Sequence, residues 1–263
     1  MLSGFIGERR ERNRMSRADA FVHPEWGPYS IDSHHVRVSI LKAVQDALPL
    51  FHGTILDVGC GEMPYRDLLL EAPSRATHYI GLDLAGTAYS RHHPDVFWNG
   101  AVIPLRDASV ESALATEVLE HCPEPLRTLS EIHRVLKPGG VLLITVPFLW
   151  PIHDPPYDEY RYTPFSLERL LREAGFEVRG LRAFGGWDAS LAQMLGLWVR
   201  RRPMRETTRR VLQRVVAPVC SWLYARDCPP IDFGSSTMIT GLSALAGKPQ
   251  PSRDAFRRIV AKP

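Results

Sequence analysis

The chain has 263 residues, 44% of them hydrophobic and 23% charged, proportions of an ordinary folded protein that exclude a disordered or fibrous chain. Its net charge of +3 is too small to argue for nucleic acid unless the positive charge is concentrated. The four cysteines, Cys60, Cys122, Cys220 and Cys228, form no C-x-x-C pair, so a reduced, cytoplasmic protein is expected.

Residues 1–17 are broken by Arg9, Arg10, Arg12, Arg14 and Arg17 and lack the continuous apolar stretch of a signal peptide. Residues 1–30 read as a polar tail that closes on the turn-rich His23-Pro24-Glu25-Trp26-Gly27-Pro28. Apolar residues at Val36, Ile40, Leu41, Val44 and Leu48 then follow a helical period and predict a helix over 33–50. Beyond Gly53, short apolar runs alternate with helical stretches, the pattern of βα units on a parallel sheet. Strands are expected at 54–58, 78–82, 96–98, 110–116 and 141–146, with helices at 65–71 and 126–136. Lys137-Pro138-Gly139-Gly140 reads as a helix stop and turn. A helix over 164–174, a strand over 176–183 and a last strand over 236–246 complete the set. The alternation fails over 186–230, which reads as an Arg-rich helical insertion or lid. The expected division is therefore 1–30 tail, 31–185 core, 186–230 insertion, and 231–263 final strand with a tail.

Chemistry is concentrated after the first strand. Ile55-Leu56-Asp57-Val58-Gly59-Cys60-Gly61 is an apolar strand followed by an acidic residue and two spaced glycines. Glycines there let the backbone bend sharply and let a ligand approach without Cβ obstruction. The second strand closes on Asp83, a carboxylate suited to accept hydrogen bonds from a ribose diol. A dinucleotide enzyme would share these features, but its third glycine position is occupied by Pro64.

Six ordered segments resemble the class I S-adenosylmethionine (SAM)-dependent methyltransferases, in particular the type 11 group that includes ubiquinone/menaquinone-type enzymes. They are Leu56–Gly61, Gly81-Leu82-Asp83, Ile103–Ser109, Glu117-Val118-Leu119-Glu120-His121, Leu136–Gly140 and Leu171–Val178. The resemblance implies an α/β fold, a Rossmann-like seven-stranded, mostly parallel sheet with helices on both faces and the helical insertion before the last strand. It also implies SAM as cofactor. Asp57, Gly59 and Gly61 would hold its methionine end and Asp83 its ribose, while Asn99 stands where the family commonly has an acidic residue beside the adenine. An amide carbonyl can still accept from an adenine amino group. The expected cofactor contacts are Asp57, Gly59, Cys60, Gly61, Asp83, Leu84, Asn99, Gly100 and Glu117.

Asp154-Pro155-Pro156-Tyr157 imitates the signature of enzymes that methylate amino groups, but it follows the fifth strand, whereas in those enzymes it closes the fourth. The segment 150–163 reads instead as a polar loop over the carboxyl edge of the sheet, where open α/β sheets place ligands. Tyr157, Tyr160, Arg161 and Tyr162 are expected to meet the acceptor. A base is needed only for some acceptors; for a hydroxyl, His153, with Asp154, or His121 would take the proton. No metal is expected, because the histidine pairs have no third ligand at a recognisable spacing.

Residues 200–214 carry Arg200, Arg201, Arg202, Arg205, Arg209, Arg210 and Arg214 against Glu206 alone. Val211, Leu212, Val215, Val216 and Val219 fall on one helical face, and Trp198 and Trp222 flank the stretch. A basic amphipathic helix suits either a lid on its own sheet or a membrane surface, and Pro203 and Pro218 favour short helices. The expected function is SAM-dependent methyl transfer to a small-molecule or lipid/sugar-linked acceptor, in the cytoplasm or peripheral to a membrane through residues 195–223, without nucleic acid. The alternatives are a non-catalytic adaptor of the same fold and an NAD-type oxidoreductase.

Overall fold

The computed structural model describes residues 19–85 and 93–250. The arginine-rich 1–17, His92 and most of the C-terminal tail lie outside the described residues. The chain runs α1 (Asp19–Val22), α2 (His34–Ala47), β1 (His52–Val58), α3 (Arg66–Leu70), β2 (Arg75–Leu84), β3 (Val96–Trp98), β4 (Val110–Thr116), α4 (Pro125–Val135), β5 (Leu136–Pro147), α5 (Pro164–Glu173), β6 (Glu177–Phe184), α6 (Trp187–Arg201), α7 (Glu206–Arg226) and β7 (Gly241–Gly247). Helix α2 stops before its predicted end because Pro49 has no N–H to continue the ladder, and Leu48–Leu50 tighten into a 3-10 turn.

The seven strands lie in the order β3-β2-β1-β4-β5-β7-β6. All neighbours are parallel except β7, which is antiparallel to both β5 and β6. The chain leaves β1 towards β2 on one side and returns to β4 on the other, so a crevice opens at the carboxyl ends of β1 and β4. The sheet is buried on both faces. One core packs Leu129, Ile132 and Val135 of α4 and Leu167 and Leu171 of α5 against it; the other packs Ile40 and Val44 of α2 with Leu69 of α3.

Three sequence expectations change. Lys137-Pro138-Gly139-Gly140 is part of β5, not a free turn. Val110 pairs with Leu136 and Ser112 with Val141, so these four residues bulge out opposite Glu111 alone. Glu111 fills the bulge: one carboxylate oxygen pairs with Lys137 and the other accepts the Thr54 N–H at 2.7 Å. The last strand begins at Gly241, because the Thr240 carbonyl is spent on the N–H groups of Phe148 and Leu149. Pro218 sits inside α7 and does not divide it, whereas Pro203 lies in the connection between α6 and α7.

The insertion is a helical hairpin docked on residues 31–32. Gly196 is required there, since a Cβ would stand 2.3 Å from the Ile31 carbonyl oxygen. Gln193 donates to the Asp32 carbonyl at 2.8 Å, and Arg201 reaches the Asp32 carboxylate at 2.8 Å. On the other side of this junction, His35 Nε2 lies 3.1 Å from Thr240 Oγ1 and its ring stacks on Tyr224. The Thr240 hydroxyl donates to the Phe184 carbonyl, so the imidazole Nε2 must be the donor.

Burial lowers the His35 pKa to about 4 from the ordinary 6.5, against the weaker pull of Asp227. Below pH 6.5 the unfolded chain binds a proton that the folded chain refuses, so this residue removes stability as pH falls towards 4. Between pH 7 and 5 the loss should be about 2 kcal/mol. Urea denaturation at the two pH values checks it: His35→Gln, which keeps a donor, should shrink the wild-type difference by that amount.

Candidate active site

Asp57 and Val58 end β1 in register with Gly81 and Leu82 of β2. The chain then turns through Gly59 and Gly61 at φ +67° and +52°, a left-handed conformation that costs little only for glycine. At Gly59 the demand is double, because a Cβ would also stand 2.5 Å from Val118 Cγ2. Gly61 faces open space, with nothing within 4 Å of an added Cβ. The turn is tied to β2: Gly59 and Cys60 donate their N–H groups to the Leu82 carbonyl, and Gly61 donates to Asp83 Oδ2 at 2.8 Å. The other Asp83 oxygen accepts from Leu84 N–H at 2.7 Å. Each oxygen keeps a lone pair for a ligand hydroxyl. Leu84 and Gly100 face one another, 3.6 Å separating Leu84 Cδ2 from a Cβ placed on Gly100.

Asp57 is buried and accepts the Tyr79 hydroxyl at 2.6 Å. Burial pushes its carboxyl up to about 7, with the Tyr79 bond opposing and Asp83 adding to the rise. Two expected contacts are revised here. The Cys60 side chain is buried against Gly81, so it offers a ligand only its backbone. Asn99 Oδ1 accepts the N–H groups of Ala101 and Val102, both at 3.0 Å, so its carbonyl is already occupied and its amide nitrogen is what it can present.

Across the crevice, β4 runs into Glu117, whose φ of +54° is rare outside glycine. Its N–H donates to the Thr145 carbonyl and its Oε1 accepts the Thr145 hydroxyl at 2.9 Å. Burial pushes this carboxyl up to about 7 as well. Glu120 follows in a 3-10 turn over Leu119–His121 and is fully buried. Neither of its carboxyl oxygens has a hydrogen-bond partner among the described residues. Burial, reinforced by Glu117, pushes it well above the usual carboxylate range.

The polar loop after β5 closes over this turn. Glu159 and Tyr160 donate their N–H groups to the Glu120 carbonyl at 2.9 and 3.2 Å. His121 Nδ1 lies 3.2 Å from the Tyr157 carbonyl, and its Nε2 lies 3.8 Å from Glu120 Oε1. Burial holds His121 below its ordinary pKa. His153 Nδ1 lies 3.1 Å from Asp158 Oδ2, and its ring meets that of His121 edge-on, 4.7 Å between centroids.

Sequence spacing pointed away from any third ligand near these histidines, yet the fold brings the Glu120, His121 and His153 ligand atoms within 4.8 Å of one another. Three of the four residues expected to meet the acceptor instead build the loop. Arg161 grips Asp158 with two hydrogen bonds of 2.6 and 2.8 Å and donates to the Tyr160, Trp150 and Pro151 carbonyls. That pairing holds the Asp158 carboxyl well below the carboxylate range. Tyr162 is buried with its hydroxyl on the Leu119 carbonyl, and Tyr160 stacks on it and donates to the Pro123 carbonyl. Only Tyr157, 65% exposed, stands clear. Asp154 is exposed, with φ +48°, and His153 is held by Asp158. Glu120 and Asp158 are the residues missed: Glu120 was visible only as a neighbour of His121, and Asp158 only as an i,i+3 partner of Arg161.

Residues 56–144 match the model of a methyltransferase domain family, Methyltransf_11. A probable S-adenosylmethionine-dependent methyltransferase of Mycolicibacterium smegmatis is 37% identical over 153 residues, 53% of this chain and 58% of that protein. A ubiquinone biosynthesis O-methyltransferase of Xylella fastidiosa is 26% identical over 53% of this chain and 61% of its own length. In both cases the chain spans less than two thirds of the relative. Among solved structures, a putative sarcosine dimethylglycine methyltransferase from Galdieria sulphuraria superposes with TM-score 0.54 at 17% identity, covering 87% of this chain and 93% of that one. The [4+2]-cyclase SpnF superposes at 0.51 with 20% identity, covering 83% and 84%. The fold therefore carries more than one chemistry, and the site must argue the reaction. Residues 56–144 form a class I methyltransferase domain of the type 11 group, whose cofactor is SAM.

The two glycines of the turn should respond differently to alanine. Gly59→Ala meets both strain and Val118, and should cost about 2–4 kcal/mol. Gly61→Ala meets strain alone and should cost about 1–2 kcal/mol. Urea midpoints of the two variants check the ranking.

Proposed function

We propose that this protein transfers the methyl group of SAM to a hydroxyl of a small or lipid-linked acceptor held over the carboxyl edge of β4 and β5. The observation that carries the reading is a shared wall. Val118 packs on Gly59 of the glycine turn, and the same turn of chain, one step on, presents Glu120 and His121 to the polar loop. Cofactor cradle and acceptor loop thus meet at residues 117–121.

In this reading the ribose hydroxyls donate to Asp83, and Asp57 takes the ammonium of the methionine end. The backbone of Gly59–Gly61 lets that end approach. Leu84, Asn99 and Gly100 flank the adenine, and Glu117 lies at the methyl-donor end of the crevice. The acceptor oxygen forms its bond to the methyl carbon as the carbon–sulfur bond breaks, and the sulfur leaves with the electron pair as neutral thioether. The sulfonium already carries the leaving group, so the protein's work is alignment and exclusion of water. Oxygen is favoured over an amino nitrogen because Asp154-Pro155-Pro156-Tyr157 lies on the loop after β5, and because one relative is named an O-methyltransferase. His121 and His153 are the groups at this edge placed to act on the acceptor hydroxyl.

A lipid-linked acceptor is favoured by the outer face of the helical hairpin. Trp187, Leu191, Met194 and Trp198 of α6 and Val211, Val215, Val219 and Trp222 of α7 are all exposed. Leu212 and Val216, assigned with them to a single face on sequence, turn inward instead. Arg202 lies over Trp198 and Arg226 over Trp222, so cations border the apolar rows as at an anionic lipid interface. Arg201 also sits over Trp150, at the start of the acceptor loop. No helix among the described residues is long and apolar enough to cross a membrane, so contact would be peripheral.

Calorimetric titration with S-adenosylhomocysteine tests the cofactor half. Wild type should bind with micromolar affinity, and Asp83→Ala should lose roughly 30–100-fold. If Asp57 meets the ammonium it must be ionised, so wild-type affinity should fall about tenfold from pH 8 to pH 6, a dependence absent in Asp57→Asn. No binding to wild type at millimolar ligand overturns the methyltransferase reading. Vesicle sedimentation tests the lipid half: the protein should pellet with vesicles containing phosphatidylglycerol, not with phosphatidylcholine alone, and Trp198→Ser/Trp222→Ser should stay in the supernatant. Failure of wild type to pellet removes the membrane while leaving the cofactor result intact.

A further inference from the structure

We propose that Glu120, His121 and His153 bind a divalent transition-series cation, with zinc as the type, beside the cofactor cradle. The ligand atoms of the three side chains lie within 4.8 Å of one another, and His121 Nε2 is 3.8 Å from Glu120 Oε1. Ligands about 2.0–2.1 Å from a tetrahedral zinc stand about 3.3 Å apart, a contraction that small side-chain rotations supply.

The histidines are arranged as ligands usually are. Each Nδ1 is taken by an oxygen, the Tyr157 carbonyl for His121 and the Asp158 carboxylate for His153. That fixes the ring and leaves Nε2 with its lone pair, the outer-shell arrangement typical of metal-binding imidazoles. Asp158 is itself clamped by Arg161, so the orientation of His153 is determined two shells out. Both rings keep about a quarter of their side-chain surface exposed, 25% for His121 and 29% for His153, enough for an ion to enter.

Glu120 supplies the independent observation. Its side chain is fully buried, and neither carboxyl oxygen has a hydrogen-bond partner among the described residues. Buried polar groups are nearly always satisfied, and an exception asks for an ion or water. The Arg161 guanidinium is committed to Asp158 and to three carbonyls. The backbone of the same residue anchors the loop that carries His153, through the N–H groups of Glu159 and Tyr160. The ligands therefore come from two segments already locked together.

Two imidazoles and one carboxylate suit zinc, cobalt, manganese or ferrous iron; magnesium and calcium prefer oxygen alone. Three protein ligands leave a coordination position open. The role assigned to it rests on the methyltransferase reading. There the cation would polarise an acceptor hydroxyl, whose proton passes to water as its oxygen bonds the methyl carbon and the carbon–sulfur bond breaks with its electron pair left on sulfur.

Protein stripped with a chelator and dialysed should bind one Co2+ per chain, with visible d–d absorption of low-symmetry nitrogen–oxygen coordination, and one Zn2+ by calorimetry. Mg2+ should not compete. Glu120→Gln and His153→Ala should each weaken Zn2+ at least tenfold while S-adenosylhomocysteine still binds, which shows that the variants fold. Absence of Zn2+ and Co2+ binding to wild type overturns the proposal, as does binding undiminished in both variants. Metal binding by a wild type that ignores S-adenosylhomocysteine would uphold the site and reject the methyl-transfer role.

Discussion

Carboxylates buried at the carboxyl edge of the sheet are the constraint on which the rest of the structure depends. Asp57, at the end of β1, and Glu120, one turn beyond β4, are buried, and Glu117, directly after β4, is partly buried. Charges removed from water without a counter-charge are costly, and the protein provides hydroxyls for two of them, Tyr79 and Thr145, rather than cations. The edge is thereby left short of positive charge. A sulfonium cofactor with an ammonium tail, and a metal ion further along, would each make up part of that shortfall. The fold tolerates the arrangement because the surrounding apolar strands, from Leu56 and Val58 to Ile144 and Val146, form its main core.

The polar loop is the second consequence. A segment with this many prolines and charges would not hold a shape by itself, and the Asp158–Arg161 pair gives it one. Arg161 ties the start of the loop, at the Trp150 and Pro151 carbonyls, to Asp158 further along. Tyr162 plugs the loop's far end into the core. Residues that look on sequence like a set of solvent-facing recognition groups thus divide into a scaffold and the few side chains it presents.

Much of the fold was legible because strands buried on both faces leave long apolar runs, and helices such as α2 and α5 keep a 3.6-residue period. Legibility failed where local and distant demands conflict. Lys137-Pro138-Gly139-Gly140 has turn chemistry, yet Glu111 across the sheet captures it as a bulge. Pro218 should break a helix, but α7 has packed turns on either side of it, with Gln213, Ala217, Cys220 and Leu223 buried. In the site, the glycine turn and its tie to Asp83 could be anticipated because the segments that form them are local and ordered along the chain. The Glu120–His121–His153 grouping could not, because its members meet only once the loop folds back on the turn that carries Glu120. Asn99 shows the opposite failure, a residue of suitable chemistry whose oxygen is consumed by its own turn.

The antiparallel β7 bears on how the molecule assembles. It occupies the slot between β5 and β6, pairing Val141 and Glu177 alike with Gly247. Both neighbours therefore emerge from the ribosome well before the strand that joins them, and each presents a bare edge in the meantime. The hairpin of α6 and α7 is made of sequence-local contacts, which form early. Once folded, it shortens the span that the late strand must bridge. The insertion thus serves as a spacer for the order of folding as well as a surface for the finished protein.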